Sequence, residues 1–223
     1  MNERSFMFPG QMTAITTGKR AKTTGQAPPK ADDKAARILD AALDLFEANG
    51  FDGVAVPEIA ARARVATGTI YHYFRDKEAL VNALYQHWKR GYNAMVLAPA
   101  PPGLSPHALF TRYWQRMTQF ARTYPRAVRF MDLHHHGAYL NEESRTIARA
   151  YAEAAEDFVA RARAAGTIRE LEPAMVVALM WGAAAGLAKF SGTGALQFDA
   201  ETASRMGDAV WRAIAADNSN HGD

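Results

Sequence analysis

Between Thr67 and Lys77 the chain reads Thr-Gly-Thr-Ile-Tyr-His-Tyr-Phe-Arg-Asp-Lys. Ile70 and Phe74 stand four apart, so on a helix both face the core and Thr67, Thr69, Tyr71, His72 and Tyr73 share the outer faces. The chemistry open to such a surface is hydrogen bonding to nucleic acid. Small hydroxyl side chains let a helix approach base edges closely, and tyrosine and histidine donate to phosphate oxygens. Gly68 removes a side chain near the helix start, where a DNA backbone would press close. The same periodicity also suits an amphipathic helix whose aromatics only pack, so spacing alone leaves both readings open.

Other candidate chemistry is weaker. His134-His135-His136 invites a metal, but neighbouring residues on a helix point about 100° apart and do not converge on one ion. Asp132 and His136, four apart, supply two ligands where zinc normally takes at least three from protein. With Phe130, Met131 and Leu133 just before it, His134 is expected to turn inward, and no metal site is expected. The chain has no cysteine, which excludes a disulfide, a thiolate metal site and a cysteine nucleophile. Gly10 and Gly18-Lys19 are separated by seven residues where a phosphate loop needs four, and Arg20 replaces the hydroxyl residue. Neither a His-Glu-x-x-His zinc motif nor a nucleophile elbow is present, so no enzyme activity and no cofactor are expected.

These residues need helices to position them, and the chain from Asp32 onward is helical in pattern. Ile38, Leu39, Ala42, Leu43, Leu45 and Phe46 form one apolar stripe, which Asp32 or Asp33 can cap and Gly50 ends. Pro57 opens a short helix to about Ala63, Arg64-Val65-Ala66 turns, Thr67–Phe74 makes a third helix, and Asp76 caps a fourth running past Trp88. Ala98-Pro-Ala-Pro-Pro-Gly103 breaks the composition. Ser105-Pro106, Tyr124-Pro125, Asn141, Pro173 and Asp199 each start a further helix. The expectation is about nine helices and no sheet.

Composition sets the class. Apolar residues make up 48% and charged residues 22% of 223, ordinary globular proportions. Residues 1–91 carry 13 Lys+Arg against 10 Asp+Glu and the remainder 13 against 13, so the basic excess lies in the N-terminal part. That is a mild footprint of phosphate binding or a basic tail without a partner. Residues 1–31, rich in Thr, Gly, Pro and Lys, read as a disordered basic arm. Ala174–Ala188 lacks charge for fifteen residues, short of the roughly 20 that span a bilayer, and reads as a buried helix. A soluble, cytoplasmic protein without membrane contact is expected.

The stretch Ile38–Leu80, ILDAALDLFEANGFDGVAVPEIAARARVATGTIYHYFRDKEAL without its flanks, resembles the N-terminal domain of TetR-type regulators. The likeness rests on Leu-Phe-x-x-x-Gly-Phe, Glu-Ile-Ala, Gly-Thr-Ile-Tyr-x-Tyr-Phe and Lys-Glu-x-Leu in order. It implies an all-α fold, with a helix-turn-helix domain at 32–92 and a larger ligand-binding and dimerisation domain at 93–223. It also implies that Thr67, Thr69, Tyr71 and His72 line or read the major groove, Tyr73 and Lys77 bind phosphate, and Gly68 offers its backbone N–H. Two positions depart from the family's habit. Arg64 stands where glycine is common, in a turn glycine adopts at lower cost, and Ala66 stands where serine commonly caps the next helix.

The resemblance further implies a homodimer that binds double-stranded DNA at a palindromic operator and is released by a small apolar or aromatic effector. Trp88, Tyr92, Trp114, Met117, Phe130, His134 and Trp181 are the candidate pocket, since methionine and aromatic side chains suit an adaptable cavity. Plain core packing is the alternative for any one of them. Gly182, Gly186, Met206, Val210 and Ile214 are the candidate dimer surface, because small side chains let helix backbones approach closely. The competing function is a DNA-architectural protein without an effector. A charge-balanced C-terminal part argues against it, since nonspecific binding draws on excess positive charge.

Overall fold

The computed structural model of the chain describes residues 31–134 and 137–216, which form nine helices and no strand. They are α1 (Ala31–Asn49), α2 (Val56–Ala63), α3 (Thr67–Tyr73), α4 (Lys77–Val96), α5 (Pro106–Thr123), α6 (Pro125–His134), α7 (Glu142–Ala164), α8 (Pro173–Gly192) and α9 (Ala200–Ile214). The expected basic arm lies outside the described residues except for Ala31, as do His135 and His136.

Helix boundaries follow local chemistry. The side chains of Asp76, Ser105, Asn141 and Asp199 accept from the amides of Ala79, Ala108, Ser144 and Thr202 at 2.7–3.2 Å. Each such cap is worth about 1 kcal/mol. Gly50 and Gly166 leave α1 and α7 at φ 69° and 63°, the left-handed conformation that glycine tolerates. α1 starts at Ala31, so Asp32 and Asp33 lie within its first turn rather than ahead of it.

One hydrophobic core runs through the molecule from Ile38 to Ile214, and α4 is its spine. The border expected at 92/93 falls inside α4, which continues unbroken to Val96. Leu80, Val81, Leu84, Tyr85, Trp88 and Tyr92 bury its apolar side. A second stripe is polar: Asn82, Gln86, Lys89 and Asn93, spaced four, three and four apart. The Asn82 amide donates to the carbonyls of Glu78 and Tyr139, both at 2.8 Å. Its Oδ1 accepts from the Asn141 amide at 2.8 Å and the Ser144 hydroxyl at 2.7 Å. Gln86 donates to Ser144 Oγ and Asn141 Oδ1 at 3.1 and 3.2 Å, and Asn93 donates to the Ile147 carbonyl at 2.8 Å. The amides of this stripe thus pin α4 to the first turns of α7.

α6 fastens the C-terminal bundle to α1. Arg126 pairs with Asp44 and reaches Asp40 at 3.9 Å, and Arg129 bonds Glu47 at 2.5 Å. At the end of α6, His134 is buried, as its apolar neighbours imply. Its Nε2 lies 3.3 Å from the Phe46 carbonyl and its Nδ1 meets the Tyr139 hydroxyl. A carbonyl only accepts, so Nε2 carries the proton and Nδ1 accepts from Tyr139. The Tyr139 ring stacks on Phe51 at 4.1 Å between centroids. It folds back across Gly137, where a Cβ would sit 2.4 Å from the ring.

α8 corrects one expectation. It is apolar around its whole circumference, but it is not buried: Met175, Leu179 and Phe190 are 51%, 38% and 56% exposed. By length and composition it is the one described helix that could cross a membrane, and here it packs in the bundle against α5, α6, α7 and α9.

The His134 contact makes stability depend on pH. Burial holds its pKa below 6.5, against a smaller opposing pull from the Phe46 carbonyl. As pH falls through 6.5 the unfolded chain takes up a proton before the folded one does, and protonation draws the chain toward the unfolded state. The contribution is therefore complete above that pH and lost below it. Urea denaturation at pH 7.5 and 5.5 is expected to show a steeper acid loss for the wild type than for His134→Gln; parallel losses would contradict it.

Candidate nucleic-acid interface

α2 and α3 form a helix-turn-helix whose geometry follows from a few side chains. Val56, Ile59, Ala60 and Ala63 bury one side of α2, and Ile70 and Phe74 anchor α3, as their spacing implies. The Glu58 carboxylate accepts from the Ala55 amide at 3.4 Å, reaching back over the start of α2. The turn is made by Arg64 at φ 55° and ψ 48°, among the described residues the one non-glycine with positive φ. Its amide and that of Val65 donate to the Ala61 and Ala60 carbonyls at 3.1 and 3.0 Å, closing the end of α2. Ala66 starts α3 without a side-chain cap. Both departures noted in the sequence therefore have a structural counterpart: a left-handed arginine and an uncapped helix start.

α3 then presents a polar, aromatic face. Gly68, Tyr71 and His72 are exposed, Thr67, Thr69 and Tyr73 are half-buried, and the His72 and Tyr73 rings meet edge to face at 5.5 Å. Lys77 is placed differently from a free phosphate ligand. Its ammonium donates to the Val54 carbonyl at 2.9 Å and lies 4.2 Å above the centre of the Phe51 ring. It braces the loop between α1 and α2. Arg75 pairs with Asp76 at 2.7 Å, and that pairing adds to the Ala79 amide in holding the Asp76 carboxyl below the ordinary carboxylate range. Residues 31–91 hold 8 Lys+Arg against 9 Asp+Glu, so the basic excess of the N-terminal part belongs to residues 1–30. Three of those acids, Asp40, Asp44 and Glu47, are engaged by Arg126 and Arg129 of α6, and Asp44 also by Arg62 of α2 at 2.7 Å.

In the C-terminal bundle the seven candidate pocket residues do not converge. Trp114 donates to the Ala203 carbonyl at 2.7 Å and borders an open groove between α5 and α9. Phe130 and His134 belong to the junction with α1. Trp88 packs on Phe120 and Tyr124, and Met117 Sδ accepts from the Tyr151 hydroxyl at 3.4 Å. Tyr92 and Trp181 remain together within the bundle, ring to ring at 5.5 Å. A separate apolar crevice lies between α4, α5, α7 and α8, lined by Leu97, Tyr113, Tyr151, Phe158, Val176 and Met180 among others, with about 20 Å³ of free space. Lys89, beside Tyr92, Tyr151 and Trp181, was missed; the four-three-four polar stripe on α4 was the signal for it.

Val210 and Ile214, expected on a dimer surface, are 6% and 0% exposed within the single chain and belong to its core. Met206 is half-buried, and Gly182 and Gly186 lie on the outer side of α8. Among the described residues no cluster of three or more potential metal ligands occurs.

Comparison with known proteins agrees with this architecture. Residues 38–84 match bacterial regulatory proteins of the tetR family, and residues 101–216 match the tetracyclin repressor-like C-terminal domain. The HTH-type transcriptional regulator RutR of Escherichia coli (strain K12) is 28% identical over 195 residues, 85% of this chain and 88% of that protein. The HTH-type transcriptional regulator BetI of Paraburkholderia phymatum is 32% identical over 72 residues, 30% of this chain and 37% of that one. A TetR family transcription regulator from Marinobacter aquaeolei superposes with a TM-score of 0.72 at 21% identity, covering 82% of this chain and 96% of its own. The fatty acid degradation regulator FadR from Bacillus halodurans gives 0.63 at 16% identity, with 84% and 97% covered, a likeness of fold alone. With the C-terminal match alone spanning more than half its residues, the chain belongs to the TetR family of DNA-binding transcriptional regulators and is not an enzyme.

Proposed function

We propose that the chain is a cytoplasmic homodimeric repressor that binds a two-fold symmetric operator through α3 and leaves it when a small ligand enters the C-terminal bundle. The observation that carries the DNA-reading part is the outer face of α3: Gly68, Tyr71 and His72 are exposed on a helix anchored by the buried Ile70 and Phe74. In this reading Thr67, Thr69, Tyr71 and His72 address the groove, while Tyr73 and the Gly68 amide address phosphate. Lys77 acts chiefly by holding the loop that carries Val54, with phosphate contact secondary.

The pairing surface is the exposed side of α8. Met175, Leu179, Gly182, Gly186 and Phe190 recur at helical spacing along it. A Cβ added at Gly182 or Gly186 would meet nothing within 4 Å inside the subunit. Each glycine costs a mid-helix position ~1 kcal/mol relative to alanine, so close approach of a second backbone is what accounts for them. Met206 sits at the rim of this surface; Val210 and Ile214 are left out of it. Two copies with ~8 phosphate contacts give a slope of log K against log salt near ~−7. Footprinting after site selection is expected to return a palindrome, and Leu179→Glu to sediment as a monomer with much weaker operator binding. A monomer footprint on an asymmetric site would contradict the reading.

Arg64 fits the same scheme. A left-handed conformation costs an L-residue roughly 1 kcal/mol or more, and a cation held there at the edge of the recognition unit is suited to reach a phosphate. Arg64→Gly is expected to raise stability by ~0.5–1 kcal/mol in urea denaturation and to weaken all DNA about equally. Ala66→Ser, which restores a cap, is expected to add ~1 kcal/mol. Were Arg64→Gly to lose stability, or to change base preference in site selection, this placement of the arginine would be wrong.

A further inference from the structure

Along the polar stripe of α4, Asn82, Gln86 and Asn93 each donate to an oxygen on α7 or the loop before it, and Lys89 does not. Among the described residues no carboxylate lies within ion-pair distance of its ammonium. What surrounds it is three ring faces, Tyr92, Tyr151 and Trp181, at 5.1, 5.3 and 5.5 Å. The tyrosines are no hidden counter-ion: burial pushes Tyr151 up to about 12 and Tyr92 well above its ordinary value, so both stay neutral. The same enclosure pulls Lys89 down to about 8, with no acid offsetting it. One turn on, Asn93 Oδ1 is buried without a hydrogen-bond donor. Trp181 is itself held by Asp132, whose carboxylate accepts from its Nε1 at 2.7 Å.

The cage adjoins the apolar crevice, for Tyr151 belongs to both, and Met180 of the crevice is next to Trp181 in the chain. Leu97, on the far wall, follows Lys89 by eight residues, roughly 12 Å along the helix. We propose that Lys89 is the head-group anchor of the effector site, binding the carboxylate of an amphipathic ligand whose apolar body lies along α4 between Phe158, Val176 and Met180. The proposal rests on reading the C-terminal bundle as effector-binding and adds the chemistry of the effector. A half-buried ammonium caged by ring faces without a counter-charge selects an anion, whereas a cationic ligand would find those faces already occupied by a positive charge. The crevice is nearly closed in this state, so the body enters as the flexible Met180 side chain gives way.

The test is calorimetry on the full chain with decanoate, decanol and decyltrimethylammonium, matched in apolar body and different in head group. The wild type is expected to bind decanoate roughly 10–100-fold more tightly than the other two. Lys89→Met should lose that preference while binding decanol unchanged, and Lys89→Arg should restore most of it. Equal affinity of the wild type for decanoate and decanol, or no decanoate binding, overturns the assignment without any variant. So does Lys89→Met binding decanoate as the wild type does. Operator release is measured separately. If decanoate binds through Lys89 and leaves the DNA complex intact, the site stands and the release mechanism fails. If decanol releases DNA as well as decanoate does, release stands and the anchor fails.

Discussion

Asn82 carries four hydrogen bonds at 2.7–2.8 Å in a buried setting, and each ties α4 to something distant in sequence or to its own preceding turn. A buried amide with every donor and acceptor paired stabilises modestly, but losing one partner strands several polar atoms together. The geometry it enforces is specific. It fixes the rotation of α4 about its axis, which determines that Val81, Tyr85, Trp88 and Tyr92 face the bundle core while Gln86, Lys89 and Asn93 face α7. Since α4 begins at the recognition unit and ends beside the crevice, that one rotational setting is shared by both halves of the molecule.

The second constraint is electrostatic and lies on the opposite flank. Asp40, Asp44 and Glu47 occupy successive turns of α1 and meet Arg126 and Arg129 of α6. Single exposed pairs of this kind contribute little, but a row along two helices resists sliding, and His134 bonded to the Phe46 carbonyl seals its end. Three of the acids that make the N-terminal module nearly neutral by count are thus already paired with arginines. Net charge per module understates how the charge is distributed.

Much of this was legible in the sequence, for physical reasons that differ by element. Helix starts at Asp76, Ser105, Asn141 and Asp199 were readable because a capping side chain acts within three residues of itself. The anchoring of α3 by Ile70 and Phe74 was readable because four residues make about one turn. The inward turn of His134 followed from its apolar neighbours, but one of its two partners, the Phe46 carbonyl, is 88 residues away and no local pattern announces it. The pocket was the least legible. Trp88, Trp114, Met117 and Phe130 have the composition of a ligand cavity, yet each is consumed by packing at a different junction. The uncharged run of α8 does not imply enclosure: Met175, Leu179 and Phe190 leave one side of it open. Val210 and Ile214 illustrate the converse, as the inner side of α9 rather than an outer one.

The manner in which α3 is held has a consequence for how this surface changes over time. Seven residues long, it is fastened by Ile70 and, just past its end, Phe74, with the turn before it closed by backbone hydrogen bonds from Arg64 and Val65. Gly68, Tyr71 and His72 contribute almost nothing to that fastening. Substitution at those positions is therefore close to neutral for folding while altering whatever the helix touches. Diversification of the outward face and preservation of the scaffold are decoupled within a single short helix, so new specificities are accessible by single steps that never pass through an unfolded intermediate sequence.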